Sequence, residues 1–199
     1  MKSTAKWALA LSLWLCAPPL LTSCHRHDNA TPKPMAYFRI DLPEHQYRLA
    51  DTTLPFSFEQ SDAAKLSLQH RDDGSYWVDV DYPDLNAAFK FTCLPVASPD
   101  SLRNLIIKEE KMVKFHYQKA DDVEFSVISD PESRLWGRIY DISGREVATP
   151  LMFWMTDSTR WFVRTTLYFN FTPNNDSLEP VIHYLREDAM HFVNSFKWK

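Results

Sequence analysis

The amino-terminal apolar run of this chain is too short to cross a membrane, and it decides which part of the chain can fold as a domain. The run covers residues 7–15 and follows the positive charges of Lys2 and Lys6. Pro18 and Pro19 then stop any helix from reaching the roughly 20 apolar residues that a membrane span requires. A charged start followed by a short apolar stretch and small residues is typical of a secretory signal peptide.

The four residues Leu21-Thr22-Ser23-Cys24 resemble the bacterial lipobox, in which an aliphatic residue and small residues precede a cysteine. In that class of signals, diacylglycerol is joined to the cysteine thiol and the chain is cut before it. We therefore predict a signal peptide at residues 1–23 and a lipid anchor on Cys24. Each buried methylene of such an anchor contributes about 0.8 kcal/mol to membrane attachment. The alternative is an ordinary secreted chain in which Cys24 is incidental.

Cysteine usage excludes an intramolecular disulfide in the mature chain. Cys16 leaves with the predicted signal peptide and Cys24 carries the lipid, so that Cys93 remains alone. Stability must then come from a hydrophobic core. The sequence supplies 7 Trp, 8 Tyr and 13 Phe for it, and aromatic side chains bury large areas.

Charge and glycine content argue against two function classes. The formal net charge is −4, and the predicted loss of Lys2 and Lys6 makes it more negative, whereas nucleic-acid-binding proteins present a basic face. The 3 Gly are too few for a glycine-rich phosphate loop. We therefore expect no nucleic-acid partner and no nucleotide cofactor.

The rest of the chain divides into a tether and a domain. Residues 24–36 are predicted to be a lipidated amino terminus and flexible tether, since they are polar and contain Pro32 and Pro34. One α+β domain is predicted over residues 37–199. Its first segment, 37–43, alternates apolar and polar residues but ends at a proline, which indicates an extended arm or an edge strand.

Apolar residues on alternate positions predict a series of strands. They cover residues 56–60, 64–70, 76–81, 87–94, 123–129, 135–141, 146–156 and 160–171, with turns at 71–74, at Ser143-Gly144 and at Asp157-Ser158-Thr159. Val78 and Val80 fall on one face of their strand, as do Phe89, Phe91 and Cys93 in the next. We therefore interpret Cys93 as a small core residue rather than a reactive thiol.

Two helices are predicted. The first begins at Ser98, and its apolar stripe continues to about Lys119. At the start of the second, Asp176 and Glu179 resemble a capping box, and Pro180 is placed in the first turn. Its predicted apolar face consists of Leu178, Val181, Ile182, Leu185, Ala189, Phe192, Val193 and Phe196.

The order of these elements favours an α+β fold in which helices cover an antiparallel sheet, because the connections between strands have hairpin length. This order is similar to that of the Mog1/PsbP-type fold. Such a likeness of architecture implies no activity.

Two groups of residues suggest catalysis or metal binding along the second half of the chain, and each has a simpler structural explanation. Asp157-Ser158 with a distant His116 suggests a serine nucleophile, but no nucleophile elbow surrounds the serine and hairpin turns use the same residue types. His183, Glu187 and His191 have a helical spacing that points them away from the apolar face. We therefore predict a solvent-exposed face there and no metal site.

A third group, Asp79, Asp81 and Asp84, alternates around the end of a strand. These carboxylates could bind a hard cation weakly, but no calcium loop surrounds them. A solvated strand face is the preferred interpretation. We predict no catalytic residue and no metal ligand in the chain.

Several phrases of the sequence are similar to those of a known family. They are Tyr37-Phe38-Arg39-Ile40-Asp41-Leu42-Pro43, His116-Tyr117-Gln118-Lys119-Ala120-Asp121, Thr156-Asp157-Ser158, Leu167-Tyr168-Phe169-Asn170 and Phe196-Lys197-Trp198-Lys199. With the lipobox they resemble the gliding-motility lipoprotein GldD family of Bacteroidota, from about Ala36 to Lys199. The resemblance implies a part in the gliding and type IX secretion machinery of the outer envelope. It implies no catalytic residue and no cofactor.

These observations predict a non-catalytic lipoprotein that is a component or assembly factor of this machinery and contacts other envelope proteins. We expect its lipid to hold it at the periplasmic face of the outer membrane. Surface-exported lipoproteins of Bacteroidota carry acidic residues directly after the cysteine, whereas this chain has a single Asp28 nearby. The alternatives are a binder of an apolar or polysaccharide ligand, with an aromatic-lined pocket, and an envelope hydrolase.

The segment Tyr37-Phe38-Arg39 is the candidate partner contact. Aromatic and arginine side chains commonly anchor protein interfaces, and this segment places three of them beside the tether. The alternative is that Tyr37 and Phe38 close one edge of the core.

Overall fold

An antiparallel sheet of seven strands lies at the centre of the computed structural model, which describes residues 40–50 and 52–199. In chain order the elements are β1 (Tyr47–Leu49), β2 (Phe56–Ser57), β3 (Glu59–Ser61), β4 (Lys65–His70), β5 (Tyr76–Tyr82), β6 (Ala87–Pro95), α1 (Pro99–His116), β7 (Asp122–Asp130), β8 (Leu135–Ser143), β9 (Leu151–Thr156), β10 (Trp161–Phe169), α2 (Asn175–Ser195) and β11 (Lys197–Trp198). A short 3₁₀ turn, Pro83–Leu85, joins β5 to β6.

The order of the seven strands is β4-β5-β6-β10-β9-β8-β7, and every neighbouring pair is antiparallel. Two short ribbons accompany the sheet, because β1 pairs with β3 and β2 pairs with β11. β4 and β7 are therefore the edges of the main sheet.

The two helices cover opposite faces of the sheet, as the alternation along β9 shows. Leu151, Phe153 and Met155 belong to the core that α2 completes, whereas Met152 and Trp154 belong to the cluster that α1 completes. Every residue of β9 is buried. The structure confirms the predicted α+β class, with an antiparallel sheet covered by helices. The likeness to the Mog1/PsbP-type fold stays a prediction.

The strands predicted at 64–70, 76–81, 87–94, 123–129 and 160–171 are confirmed to within two residues at either end. Cys93 is fully buried, and this burial raises the pKa of its thiol. It is therefore a core residue, as the sequence predicts.

Helix α1 begins where the sequence predicts. The Ser98 hydroxyl accepts a hydrogen bond from the Ser101 N–H at 3.2 Å, and the Ser101 hydroxyl accepts one from the Ser98 N–H at 3.0 Å, which is a complete capping box. The helix ends at His116 and not at Lys119, because the N–H groups of Lys119 and Ala120 both return to the His116 carbonyl.

The start of α2 corrects the sequence prediction. The helix begins at Asn175, so the capping box predicted at Asp176 and Glu179 is wrong and Pro180 lies inside the helix. A tertiary contact fixes the start instead: the Asn175 side chain donates to the carbonyls of Gly144 and Val147 at 2.8 and 2.9 Å. The sequence next to the helix carries no sign of this contact.

One further prediction is wrong in part, and another is decided between its two alternatives. The strand predicted at 146–156 begins only at Leu151, because Val147 donates to the Gly144 carbonyl and closes a turn there. Residues 40–43 form no strand. Ile40 packs against the main core and Pro43 has no N–H to donate to a sheet, so these residues are an arm and the edge ribbon begins at β1.

Candidate functional site

The predicted anchor and the predicted contact segment lie outside the described residues. This applies to Cys24 and to Tyr37-Phe38-Arg39. The described part of the chain begins with Ile40, directly after the contact segment. Both assignments therefore stay predictions.

The structure brings several polar side chains together around Asp188 of α2, whose side chain is only 1% exposed. The Tyr82 hydroxyl donates to Oδ2 at 2.8 Å, and the Tyr47 hydroxyl donates to Oδ1 at 2.8 Å. Nδ1 of His45 lies 2.7 Å from the same Oδ1. A buried carboxylate is costly unless hydrogen bonds replace its hydration, and these three partners supply them.

Asp188 points inward because it lies on the buried face of α2. Tyr184 and Leu185, four and three residues earlier, are both buried, and residues at those spacings share a helix face. Asp188 and Tyr184 were not among the candidate residues predicted from the sequence. Asp188 falls on the apolar face of the predicted helix, and this position was the available signal. A carboxylate on a buried helix face requires hydrogen-bond donors from other elements.

The phenols beside Asp188 are held in their protonated form. Burial, together with the charge and hydrogen bond of Asp188, raises the pKa of Tyr47 and of Tyr82. Both hydroxyls are therefore donors at neutral pH. The side chain of Asp188 accepts the hydrogen bonds of both hydroxyls.

His45 ties the amino-terminal segment to two carboxylates of α2. Its Nδ1 faces Asp188, and its Nε2 lies 2.9 Å from Oε2 of Glu187. Its ring stacks on Tyr184 with a centroid separation of 4.2 Å. In a Ser-His-Asp site one imidazole nitrogen faces the acid and the other faces the nucleophile. Here both nitrogens face acids, so the arrangement suits docking of the segment.

Tyr47 extends the same contact along α2. Its ring stacks on His191 with centroids 3.5 Å apart and planes 6° from parallel. His191 Nε2 lies 2.7 Å from Oε2 of Glu59. The segment from His45 to Tyr47 is thus held by stacking and hydrogen bonds over two turns of α2.

A small cavity lies beside Asp188, lined in part by Gln60, Ser61 and Phe192. Its volume is about 20 Å³, enough for a single water molecule. Ligand pockets have volumes of about 300–1,000 Å³. The aromatic core around this cavity therefore has no room for a lipid or a sugar, and the grooves seen elsewhere on the described residues are open to solvent.

The residues that suggested a serine nucleophile do not converge. His116 lines a groove with Thr172 and Pro173, which follow β10, whereas Asp157 and Ser158 precede β10. The nine residues of β10, at about 3.3 Å each, separate these places by roughly 30 Å. The structure confirms the hairpin turn at Asp157-Ser158.

Asp157 caps that turn. Its Oδ1 accepts hydrogen bonds from the N–H groups of Thr159, Arg160 and Trp161 at 3.0, 2.7 and 2.9 Å. Burial favours a higher pKa for this carboxyl, but the backbone hydrogen bonds outweigh it and lower the pKa. Ser158 adopts a φ of +65° at the tip of the turn.

Asp79 and Asp81 form ion pairs at the surface of the sheet. Lys90 Nζ lies 2.9 Å from Asp79 and 3.3 Å from Asp81, as expected for a solvated strand face. His183 and Glu187 are exposed, as predicted. The prediction is wrong for His191, which is half-buried because Tyr47 covers it.

The described residues contain no group of three or more His, Cys, Asp or Glu side chains arranged to hold a metal ion. No helix among them combines the length and the apolar character that a membrane crossing needs.

Comparison with known proteins identifies the family. The sequence profile described as gliding motility lipoprotein GldD matches residues 27–198. No curated protein sequence matches the chain. The profile match covers well over half of the chain, including every strand, both helices and the cluster around Asp188. The chain therefore belongs to the gliding motility lipoprotein GldD family.

Proposed function

We propose that a lipid on Cys24 holds this chain at the periplasmic face of the outer membrane, where it is a component or assembly factor of the gliding motility and type IX secretion machinery. It works by contact and catalyses no reaction of its own. Membership of the GldD family carries the proposal. The lipobox-like Leu21-Thr22-Ser23-Cys24 supports the anchor.

The structural roles of the buried charged groups support action by contact. Asp188 accepts hydrogen bonds from His45 and Tyr47, which dock the segment 45–47, and one from Tyr82 of β5, while Asp157 caps a hairpin. Glu109, buried on α1, lies 3.3 Å from Arg164 of β10 and joins the helix to the sheet. Each of these groups is used to hold elements together.

Exposed apolar side chains offer surfaces for partners. The large ones include Leu49, Phe115, Tyr117, Phe125 and Val127. Single exposed apolar residues are ordinary, but neighbouring ones indicate an interaction site. A lipid anchor confines such surfaces to the membrane, which raises their effective concentration towards other envelope proteins.

Recovery of the intact lipidated chain from its native envelope tests the proposal. We expect proteins of the gliding and secretion machinery to co-purify with it from detergent-solubilised membranes, and to be lost with Cys24→Ser. A strain lacking the chain should lose gliding or secretion and regain it with the wild-type copy. A strain that glides and secretes normally without the chain would contradict the proposal.

The segment Tyr37-Phe38-Arg39 is proposed as one partner contact, and replacing all three residues with Ala tests it. If the segment binds a partner, co-purification falls while the unfolding midpoint is unchanged. If Tyr37 and Phe38 instead close the core, the unfolding midpoint falls. Tyr168→Ala, at an exposed residue of β10, is the control for a non-specific loss of aromatic surface.

A further inference from the structure

β7 forms an edge of the sheet, and in the described part of the chain its backbone pairs with β8 alone. It is nine residues long. Long exposed edges of this kind readily pair with another strand, and natural proteins usually shorten, charge or cover them. What β7 presents to an incoming strand therefore decides what it can bind.

The hydrogen bonds of β8 show which residues of β7 face outward. Ile142 donates its N–H to the Pro150 carbonyl on the β9 side, so its backbone groups point away from its β7 partner, Val123. Val123 must then point its own groups outward, and its N–H is met by Oδ1 of Asp122 at 2.8 Å. The same alternation turns outward the backbone groups of Phe125, Val127 and Ser129.

An apolar row lies beside this outward backbone. Phe125 is 58% exposed and Val127 is 67% exposed. Both share the α1 face with Val123, which packs against the α1 cluster. The Arg138 guanidinium lies 4.7 Å from the centre of the Phe125 ring and 2.6 Å from Glu110 of α1. Phe125 is thus held in place while one side of it remains open.

The charged side chains of the β7 segment itself are all acidic, and the nearest guanidinium groups, Arg138 and Arg186, are each paired with a carboxylate. Residues 121–130 contain Asp121, Asp122, Glu124 and Asp130 and no Lys or Arg. Glu124 pairs across the sheet with Asp141. Burial raises the pKa of Asp141, and the negative charge of Glu124 raises it further, whereas the positive charge of Arg186 lowers it. A second copy paired through its own β7 would set these acids against each other, which destabilises a strand pair. A basic partner is favoured instead.

We propose that the edge formed by Val123, Phe125, Val127 and Ser129 is the docking site for an extended segment of another protein, in which apolar and basic residues alternate. The segment adds a strand to the sheet beside β7. Its apolar residues lie against Phe125 and Val127, and its basic residues lie near Glu124. Backbone hydrogen bonds give such a contact its strength and the alternating side chains give it selectivity. This inference rests on the proposed function, action by contact, and names one surface for it.

Hydrogen exchange first tests the geometry of the edge. In residues 24–199 carrying Cys24→Ser, we expect slow exchange at the amides of Glu124, Ser126 and Ile128, which face β8. The amides of Phe125, Val127 and Ser129 should exchange fast. Equal protection along β7 would show that the edge is already covered and would overturn the proposal.

A synthetic nine-residue peptide of alternating Lys and Val, with Lys at both ends, then tests the docking. We expect it to bind in an NMR titration, to protect the amides of Phe125, Val127 and Ser129, and to bind about tenfold more tightly than its Glu-for-Lys counterpart. The Lys-Val peptide with N-methylated valines lacks the N–H groups that would pair with β7. It should bind no more tightly than the Glu-for-Lys counterpart. Equal binding by all three peptides, or protection elsewhere, would overturn the proposal.

Val127→Pro is the matching change in the protein. It removes an outward N–H that no strand of the described chain uses, so we expect the fold to persist and peptide binding to fall about tenfold. Val127→Ala keeps the N–H and should bind within a few-fold of wild type. If Val127→Pro fails to fold, the N-methylated peptide still decides the question. A chain that sediments as a dimer, and becomes monomeric with Val127→Pro, would replace the proposed partner with a second copy.

Complementation separates this inference from the proposed function. If wild-type chain restores gliding or secretion and folded Val127→Pro restores it equally, the docking site is wrong and the proposed function stands. If wild-type chain restores neither process, the proposed function is wrong. We expect wild type to restore both processes and Val127→Pro to be impaired while remaining in the membrane.

Discussion

Asp188 joins the segment from His45 to Tyr47 to the main sheet, because donors from that segment and from β5 meet at one carboxylate. His45 precedes β1, Tyr47 begins it, and Tyr82 ends β5. Loss of this acceptor leaves the buried Tyr82 hydroxyl without its partner, and this costs more than the hydrogen bond itself contributes.

Asp188→Ala should therefore lower the free energy of unfolding by about 2 kcal/mol, since one unsatisfied buried donor costs about 1–3 kcal/mol and the more exposed His45 and Tyr47 can turn to water. Urea denaturation measures the change. Glu187→Ala is the matched control, because Glu187 contacts the same His45 from an exposed position, and exposed ion pairs contribute about 0–1 kcal/mol. Losses of equal size would contradict the role assigned to Asp188.

Asp157 gives a pH-dependent prediction. Its pKa is lower in the folded chain than its ordinary value of 3.8. A carboxyl of this kind stabilises the fold above its unfolded pKa, and that stability is lost as the pH falls through the folded pKa. Wild type should thus be more stable than Asp157→Asn at neutral pH, by a margin that shrinks below about pH 3.8 and then vanishes. A margin that grows on acidification in denaturation experiments would contradict this.

Among the secondary-structure elements, α2 places more buried residues in the described fold than any one strand. Phe192 is 5% exposed and contacts the rings of Phe58, Phe91, Phe153 and Phe196. The helix therefore joins the β2–β11 ribbon, the sheet and the carboxyl terminus in one aromatic cluster.

Phe192→Ala should cost about 3–5 kcal/mol, as buried phenylalanines typically do. Thermal or urea unfolding should show a clear fall in the midpoint. His183→Ala, on the exposed face of the same helix, should change it little. Similar effects from the two variants would mean that the buried face of α2 is misassigned.

The same elements show how far sequence reasoning extends. Strands with strict alternation, such as β5 and β6, and the apolar stripe of α2 were predictable because local periodicity reports directly on the buried face. The start of α2 was not, because Asn175 is fixed by carbonyls of a distant loop. The loop before β9 was mispredicted because residues 146–150 continue the apolar pattern while a turn at Gly144 and Val147 interrupts the backbone pairing.

The candidate site was less predictable than the fold. Glu187 and His191 were noticed for their spacing with His183, but their partners His45, Tyr47 and Glu59 lie more than 100 residues away in the sequence. Periodicity within one element carries no information on such contacts. Which backbone groups of β7 face outward likewise depends on which groups of β8 are hydrogen-bonded to β9. The sequence alone does not predict this.

For the whole molecule, the proposed lipid on Cys24 would decide where the chain works. Cys24→Ser should then release the protein from the membrane or leave the precursor uncut, since the thiol proposed to accept the lipid is gone. Mass spectrometry of the mature amino terminus measures this directly. An unacylated terminus at any residue other than 24 would contradict the anchor.

We propose that the chain acts without catalysing a reaction, and a complementation experiment with three variants tests this. His45→Ala, His116→Ala and Ser158→Ala each remove a group that a catalytic site would require, and each is introduced as the sole copy in the native host. Gliding and secretion are then measured for every variant that is folded, lipidated and bound to its partners. We predict that all such variants support both processes at the wild-type level. A variant that is folded and correctly assembled but inactive would contradict the account, because that pattern indicates chemistry.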